Sequence, residues 1–328
     1  MQETPEHPIL IDGLEYCKWN RELIENAHTG GLTAIHVTLV YWENTEESFT
    51  KIQQWNKLIN DNQDLIMHAK KSSQILEAKK KNKIAIIYGF QNSAPIANDI
   101  FLVEKFFKEG LRFMQLTYNN QTPLGGGCFE SKDSGISRFG KAVIEEMNRL
   151  GMIVDLSHAG KQTCLDTIKF SKKPVAISHA NPSFFHSSMR NIDNEVLKKL
   201  SSKNGFIGLS LYPYHLKNLG DCKVEDFCKM IKELINLIGE NNIGIGSDLC
   251  LNWPNEVVMW MRNGKWTKKT DYGESKDKNV SWPKQPYWYS KPSDLKNLFH
   301  SMIENGIKEN QAIKIVGLNW FNFMQNHF

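Results

Sequence analysis

Met152-Ile-Val-Asp-Leu-Ser-His158 is followed by the charged, amphipathic stretch Ala159–Lys172 and then by Val175-Ala-Ile-Ser-His179. Two short aliphatic runs separated by one helix-length segment read as parallel strands joined by a crossover helix, the connection that parallel strands require. Neither run alternates strictly between apolar and polar residues, as expected for strands covered on both faces. Each ends in a histidine.

Working outward, the same unit recurs along the chain. Strands are expected at Ile9–Asp12, Thr33–Val40, Ile84–Phe90, Phe113–Tyr118, Phe206–Leu211 and Ile243–Asp248. Helices are expected over Ser48–Asn60, Asp64–Lys81, Asp99–Glu109, Arg138–Leu150, Asp193–Lys203 and Lys223–Gly239. Gly110, Gly151 and Gly239 close or follow helices, where a left-handed residue is easiest for glycine. Eight strand–helix units without a composition break or linker predict one α/β domain over residues 1–328, a single closed (β/α)8 TIM barrel. One segment departs from the rhythm. Leu251–Pro292 holds five of the nine tryptophans, and a long aromatic segment after the eighth strand is expected at the barrel mouth as a lid, a substrate wall or an interface.

Composition removes several classes of function. With 328 residues, 41% hydrophobic and 23% charged, and 40 Lys+Arg against 36 Asp+Glu, the net charge is only +4. That leaves no basic stripe of the kind nucleic-acid binders carry. No run approaches ~18 consecutive apolar residues, and the start MQETPEHPILIDG lacks a positive region before an apolar one, so a cytoplasmic protein without a membrane partner is expected. Six cysteines without zinc-ribbon spacing make no disulfide framework. Cys17 and Cys250, following neighbouring strands, are expected as unlinked thiols.

In such a barrel the chemistry sits at the C-terminal strand ends. His158 and His179 end adjacent strands, and two neutral imidazoles placed there can converge on one cation. Asp248 ends the last strand, where a carboxylate can take a proton from an attacking water and return it to a leaving amine. Arg190 can hold a substrate carboxylate through its planar fork. Tyr118 either donates to a developing oxyanion or closes its strand. Tyr212 and His215 are placed to line the mouth against substrate. His36 either points into the barrel or is a packed core histidine, and Glu15 follows the first strand without an assigned role.

Ile11-Asp12-Gly13, Gly110-Leu-Arg-Phe-Met-Gln-Leu-Thr117, Val154-Asp-Leu-Ser-His158, Ile177-Ser-His179, Arg190-Asn191 and Ile245-Gly-Ser-Asp248 together resemble the membrane dipeptidase (renal dipeptidase, peptidase M19) family of the amidohydrolase superfamily. The resemblance implies a metal-dependent hydrolase acting on dipeptides or similar small amides, and a homodimer. Members hold two zinc ions through a His-x-Asp pair after strand one, a bridging glutamate after strand three and two histidines ending strands five and six. His158 and His179 match the latter pair, Arg190 the substrate-carboxylate arginine and Asp248 the catalytic aspartate. Leu14 and Tyr16 stand at the His-x-Asp positions, Gln91 at the bridging glutamate and Tyr118 at a substrate-contacting histidine. Leucine has no lone pair and a carboxamide no charge, so a two-zinc site is not expected. The pattern implies one divalent ion, zinc, held by His158 and His179 with Gln91 or Asp248 as a third ligand and water completing the shell, or a metal-poor barrel reassigned to recognising a small carboxylated metabolite.

Overall fold

The strands predicted from the sequence do form one barrel, although most of them are shorter than their apolar runs. The computed structural model describes residues 8–264 and 280–328; Trp266, counted in the tryptophan-rich segment, lies outside them. The strands are β1 (Ile11–Glu15), β2 (Ala34–Val40), β3 (Ile66–His68), β4 (Ile84–Phe90), β5 (Leu111–Gln115), β6 (Ile153–Asp155), β7 (Ala176–Ile177), β8 (Phe206–Leu209) and β9 (Ile243–Ile245). All pairings among them are parallel. Eight form the closed ring: β2 pairs directly with β4, and β9 returns to β1.

β3 corrects the expected helix Asp64–Lys81. Ile66 and His68 pair with Ile84 and Ile86, on the edge of β4 that β5 takes over from Tyr88 onward. The helix begins only at Ser73 and runs to Lys80. Three residues give too little periodicity to separate a strand from a helix start.

Side chains, not register errors, shorten the other strands. Beyond Ile177, the Ser178 amide donates to Asp155 Oδ1 (3.0 Å) and the His179 amide to Ser157 Oγ (3.1 Å). Beyond Ile245, the Ser247 amide donates to Asp12 Oδ1 (2.8 Å). A carboxylate at the end of one strand thus replaces the ladder to its neighbour, leaving the backbone satisfied and free to turn its following side chains into the mouth.

The two strand faces enter different cores. Ile35, Val37, Ile84, Ile86, Val154 and Ile207 pack outward under the helices. Ala34, Ala85, Ile87, Phe113, Phe206 and Trp320 pack inside the ring. Trp320, from the C-terminal helix Asn319–Gln325, plugs the end opposite the mouth, and its indole donates to the Ile245 carbonyl (2.7 Å). A Cβ at Gly13 would lie 2.4 Å from that indole and one at Gly244 2.7 Å, so the plug requires glycine on the strands it meets. His36 is resolved as a core residue: its ring stacks on Phe113 at 4.1 Å and Nδ1 lies 2.6 Å from the Gly13 carbonyl.

The segment read as a loop after the last strand contains a helix, Asn255–Asn263. Val258 and Arg262 are its buried residues, one turn apart on the same face. Trp253, Val257, Trp260, Met261 and Trp282 pack on a mouth cluster of Tyr16, Tyr41, Trp42, Tyr118 and Cys250. Trp288 lies apart from it, donating to the Cys222 carbonyl and packing on Phe227. Cys17 and Cys250 are both free thiols. Among the described residues no helix is long and apolar enough to cross a membrane.

Candidate active site

One pocket at the C-terminal strand ends is lined by Gln91, Tyr118, His158, Arg190, Asp248 and Arg262, with Tyr212, His215 and other mouth residues beside them. It gathers most of the residues singled out from the sequence. His179 lies directly beneath, fully buried, with its Nε2 3.0 Å from His158 Nε2.

The hydrogen bonds fix the imidazole tautomers. Asn119 Oδ1, which also accepts from the Cys128 thiol at 3.6 Å, lies 2.6 Å from His158 Nδ1, so that nitrogen carries the proton. Ser178 donates its hydroxyl to Asp155 Oδ2, leaving Ser178 Oγ to accept from His179 Nδ1 at 2.8 Å. Burial, followed by the Arg190 charge, pushes both histidines well below their ordinary pKa. Neutral rings protonated at Nδ1 present an Nε2 lone pair. The two lone pairs therefore face each other.

Gln91 adds a third acceptor. Its Nε2 donates to Thr38 Oγ1 (2.8 Å) and Tyr41 OH (3.3 Å), which turns Oε1 to within 3.1 Å of His158 Nε2. His158 Nε2 thus has two further acceptor atoms near it, His179 Nε2 at 3.0 Å and Gln91 Oε1 at 3.1 Å. The guanidinium of Arg190, 2% exposed, approaches from one side: Nη2 donates to His158 Nε2 (3.2 Å) and to the His179 carbonyl (3.3 Å), and Nη1 to the Ser157 carbonyl.

This donor set does not fit two metal ions. At the positions corresponding to a second ion, Leu14 is fully buried and Tyr16 lies edge-on to Tyr41 (4.6 Å) and stacks on Trp253 (5.0 Å). Burial, reinforced by nearby Glu43, pushes the Tyr16 phenol well up, away from the phenolate a metal would need. Among the described residues no group of three His, Cys, Asp or Glu side chains is placed to hold a metal; the third donor here is a carboxamide.

Tyr118, Asp248, Tyr212 and His215 line the same pocket. The Tyr118 ring lies 4.2 Å from that of His158 and 4.9 Å from Tyr41. Asp248 is half-buried and holds a left-handed backbone (φ +54°), with its amide donating to the Leu14 carbonyl (2.9 Å). A non-glycine residue kept in that region costs of order 1–3 kcal/mol and is characteristic of functional positions. His215 is buried with Nδ1 2.7 Å from Ser210 Oγ, and the Tyr212 ring is 5.3 Å from it. Two residues carry more than sequence reasoning gave them: Asn119, whose left-handed backbone (φ +63°) suits asparagine, and Arg262, buried on the pocket lining.

A parallel (β/α)8 barrel with imidazoles, a carboxamide, arginine and a carboxylate at its mouth is a barrel of the amidohydrolase type. The sequence pattern of "Membrane dipeptidase (Peptidase family M19)" matches residues 20–254, and the chain belongs to this family. It is similar to an amidohydrolase of Pseudomonas aeruginosa, with 35% identity, a TM-score of 0.91 and coverage of 97% of this chain and 96% of that one. A Rhodobacter sphaeroides metallo peptidase, solved with a phosphinate mimic of the dipeptide L-Ala-D-Ala, shares the fold at 15% identity, TM-score 0.80, over 98% of this chain and 100% of that one. An uncharacterised dipeptidase of Schizosaccharomyces pombe is 29% identical over 52% of this chain and 42% of its own length. The chain spans about half the length of the curated relatives it matches.

Proposed function

We propose that this chain is a hydrolase of small carboxylated amides, dipeptides among them, that works with a single divalent ion, zinc, held by His158, His179 and Gln91. The reading rests on one observation: the Nε2 lone pair of His179 and the carboxamide oxygen of Gln91 both lie within 3.1 Å of the Nε2 lone pair of His158, without a proton of their own to share. When bound, such an ion supplies Lewis-acid polarisation of a carbonyl and acidifies water.

The chain's residues account for the rest. Asn119, and Ser178 backed by Asp155, keep the imidazoles neutral and oriented, as partners on the far ring nitrogen of a ligand do. Asp248 takes a proton from the attacking water and returns it to the leaving amine, so that one water and one amide become a carboxylic acid and an amine. Tyr118 donates toward the developing oxyanion. Tyr212 and His215 form one wall of the pocket. Val258, Met261 and Arg262 of the Asn255–Asn263 helix line another part of it, and Trp253, Trp260 and Trp282 back the mouth cluster beside them, a packing that helps exclude water from the reacting groups.

Elemental analysis of the purified protein and hydrolysis of a dipeptide panel with added zinc or manganese test this reading. One equivalent of metal, lost together with activity in His158→Ala, is the expected result. Protein without metal and without hydrolysis rejects it. A second reading, a metal-free binding barrel, is favoured by the Arg190 guanidinium beside His158 Nε2, a charge that can neutralise the lone pair by itself. It predicts that His158→Ala retains ligand affinity.

A further inference from the structure

Arg262 stands out from the other charged groups of the pocket. It is 7% exposed and lines the cavity, yet among the described residues its guanidinium forms no hydrogen bond, ion pair or ring contact. Guanidinium does not lose its proton in proteins, so unlike a buried lysine it cannot escape the cost of burial by neutralising. Buried charges are otherwise paired. Its place is set by the helix: Val258, one turn earlier, anchors the same face in the mouth.

From this unpaired, inward-facing cation we infer that Arg262 is the anion-binding group of the pocket, and that it receives the free carboxylate of the ligand. Arg190, the residue expected to do so, already donates to the backbone carbonyls of Ser157 and His179 at the pocket floor. A planar carboxylate matches the guanidinium fork. The Asp248 carboxylate on the same cavity disfavours a more highly charged anion such as phosphate. A ligand held at Arg262 by its carboxylate extends its amide from the helix wall toward His158 and Asp248. That use of the site in hydrolysis rests on the function proposed above; the anion site does not.

Titration of the full chain with N-acetylglycine and its neutral counterpart N-acetylglycinamide, followed by calorimetry and tryptophan fluorescence, tests the assignment. The wild-type protein is expected to prefer the carboxylate by tenfold or more. Arg262→Gln and Arg262→Met should abolish that preference, Arg262→Lys should keep part of it, and melting temperatures should stay level or rise, because no internal pair is broken. Four outcomes overturn the proposal: no preference in the wild-type protein, a preference that survives Arg262→Gln and disappears in Arg190→Gln, tighter Arg262-dependent binding of inorganic phosphate than of the carboxylate, or a fall in melting temperature that marks Arg262 as structural. Preference without any hydrolysis rejects the enzymatic reading alone.

Discussion

Asn119 makes a contact no metal ligand would advertise, yet it decides which nitrogen of His158 faces the pocket. Removing such an outer partner typically costs about 10–100-fold in metal affinity. Asn119→Ala is therefore expected to weaken zinc binding by that order in a chelator competition, with the fold unchanged by circular dichroism. Glu15 makes a separate prediction. Its carboxyl is fully buried, one oxygen lacks any partner among the described residues, and burial together with the neighbouring Asp12 raises its pKa well above 4.5. Below the ordinary carboxyl range folded and unfolded chains are both protonated. As pH rises through that range the unfolded chain releases its proton while the folded one keeps it, so this group's contribution to stability falls with increasing pH. Glu15→Gln should flatten the decline in melting temperature between pH 5 and pH 8 and exceed the wild type at pH 8; parallel curves would falsify the assignment. At this scale the sequence made His158, His179, Arg190 and Asp248 legible, because strand-end positions and motif order mark them. It left Arg262 unmarked: a lone arginine in an irregular aromatic segment has the same signature as a solvated one until a helix folds it inward.

The elements show where patterning works and where it stops. Seven-residue strands such as β2 and β4 were readable from their apolar runs, and their ends match closely. The ends of β7 and β9 were not, since Asp155 and Asp12 take over backbone bonds that a strand partner would otherwise accept. β3 and the Asn255–Asn263 helix were hidden for opposite reasons, one by brevity and the other by the glycines, prolines and tryptophans around it. β2 and β4 also carry a steric dependence on one another. A Cβ at Gly89 would sit 1.8 Å from His36 Nε2. Gly89→Ala should thus destabilise by about 1–3 kcal/mol through overpacking. Combined with His36→Ala it should cost clearly less than the sum of the two single changes, because the clash disappears. Additive denaturation midpoints would show that the two positions accommodate independently.

For the whole molecule, the ring is held from both ends. The mouth is covered by an aromatic cluster built from several strand ends and the helix beyond β9, while the opposite end is filled by Trp320 with Phe206, Phe323 and Met324 around it. Trp320→Ala leaves a cavity at the centre of the inner core and abandons the bond to Ile245, for an expected loss of about 3–5 kcal/mol in urea unfolding. Far-ultraviolet signal should persist while near-ultraviolet signal from the packed rings weakens. A loss under 1 kcal/mol would mean that neighbouring Phe206 and Phe323 refill the space.

That plug also sets the order of events when the chain folds. Gly13, in the middle of β1, and Trp320, in the helix Asn319–Gln325, come from opposite ends of the described sequence and touch only when the ring between them is complete. Contacts so remote along the chain reward folding only after the full loop entropy has been spent, which slows the search. The strand–helix units can form locally as they emerge from the ribosome, but the inner core stays open to water until the final helix arrives. Refolding monitored by Trp320 burial should therefore lag behind the recovery of helical signal, with the open-ended barrel as the species most exposed to aggregation.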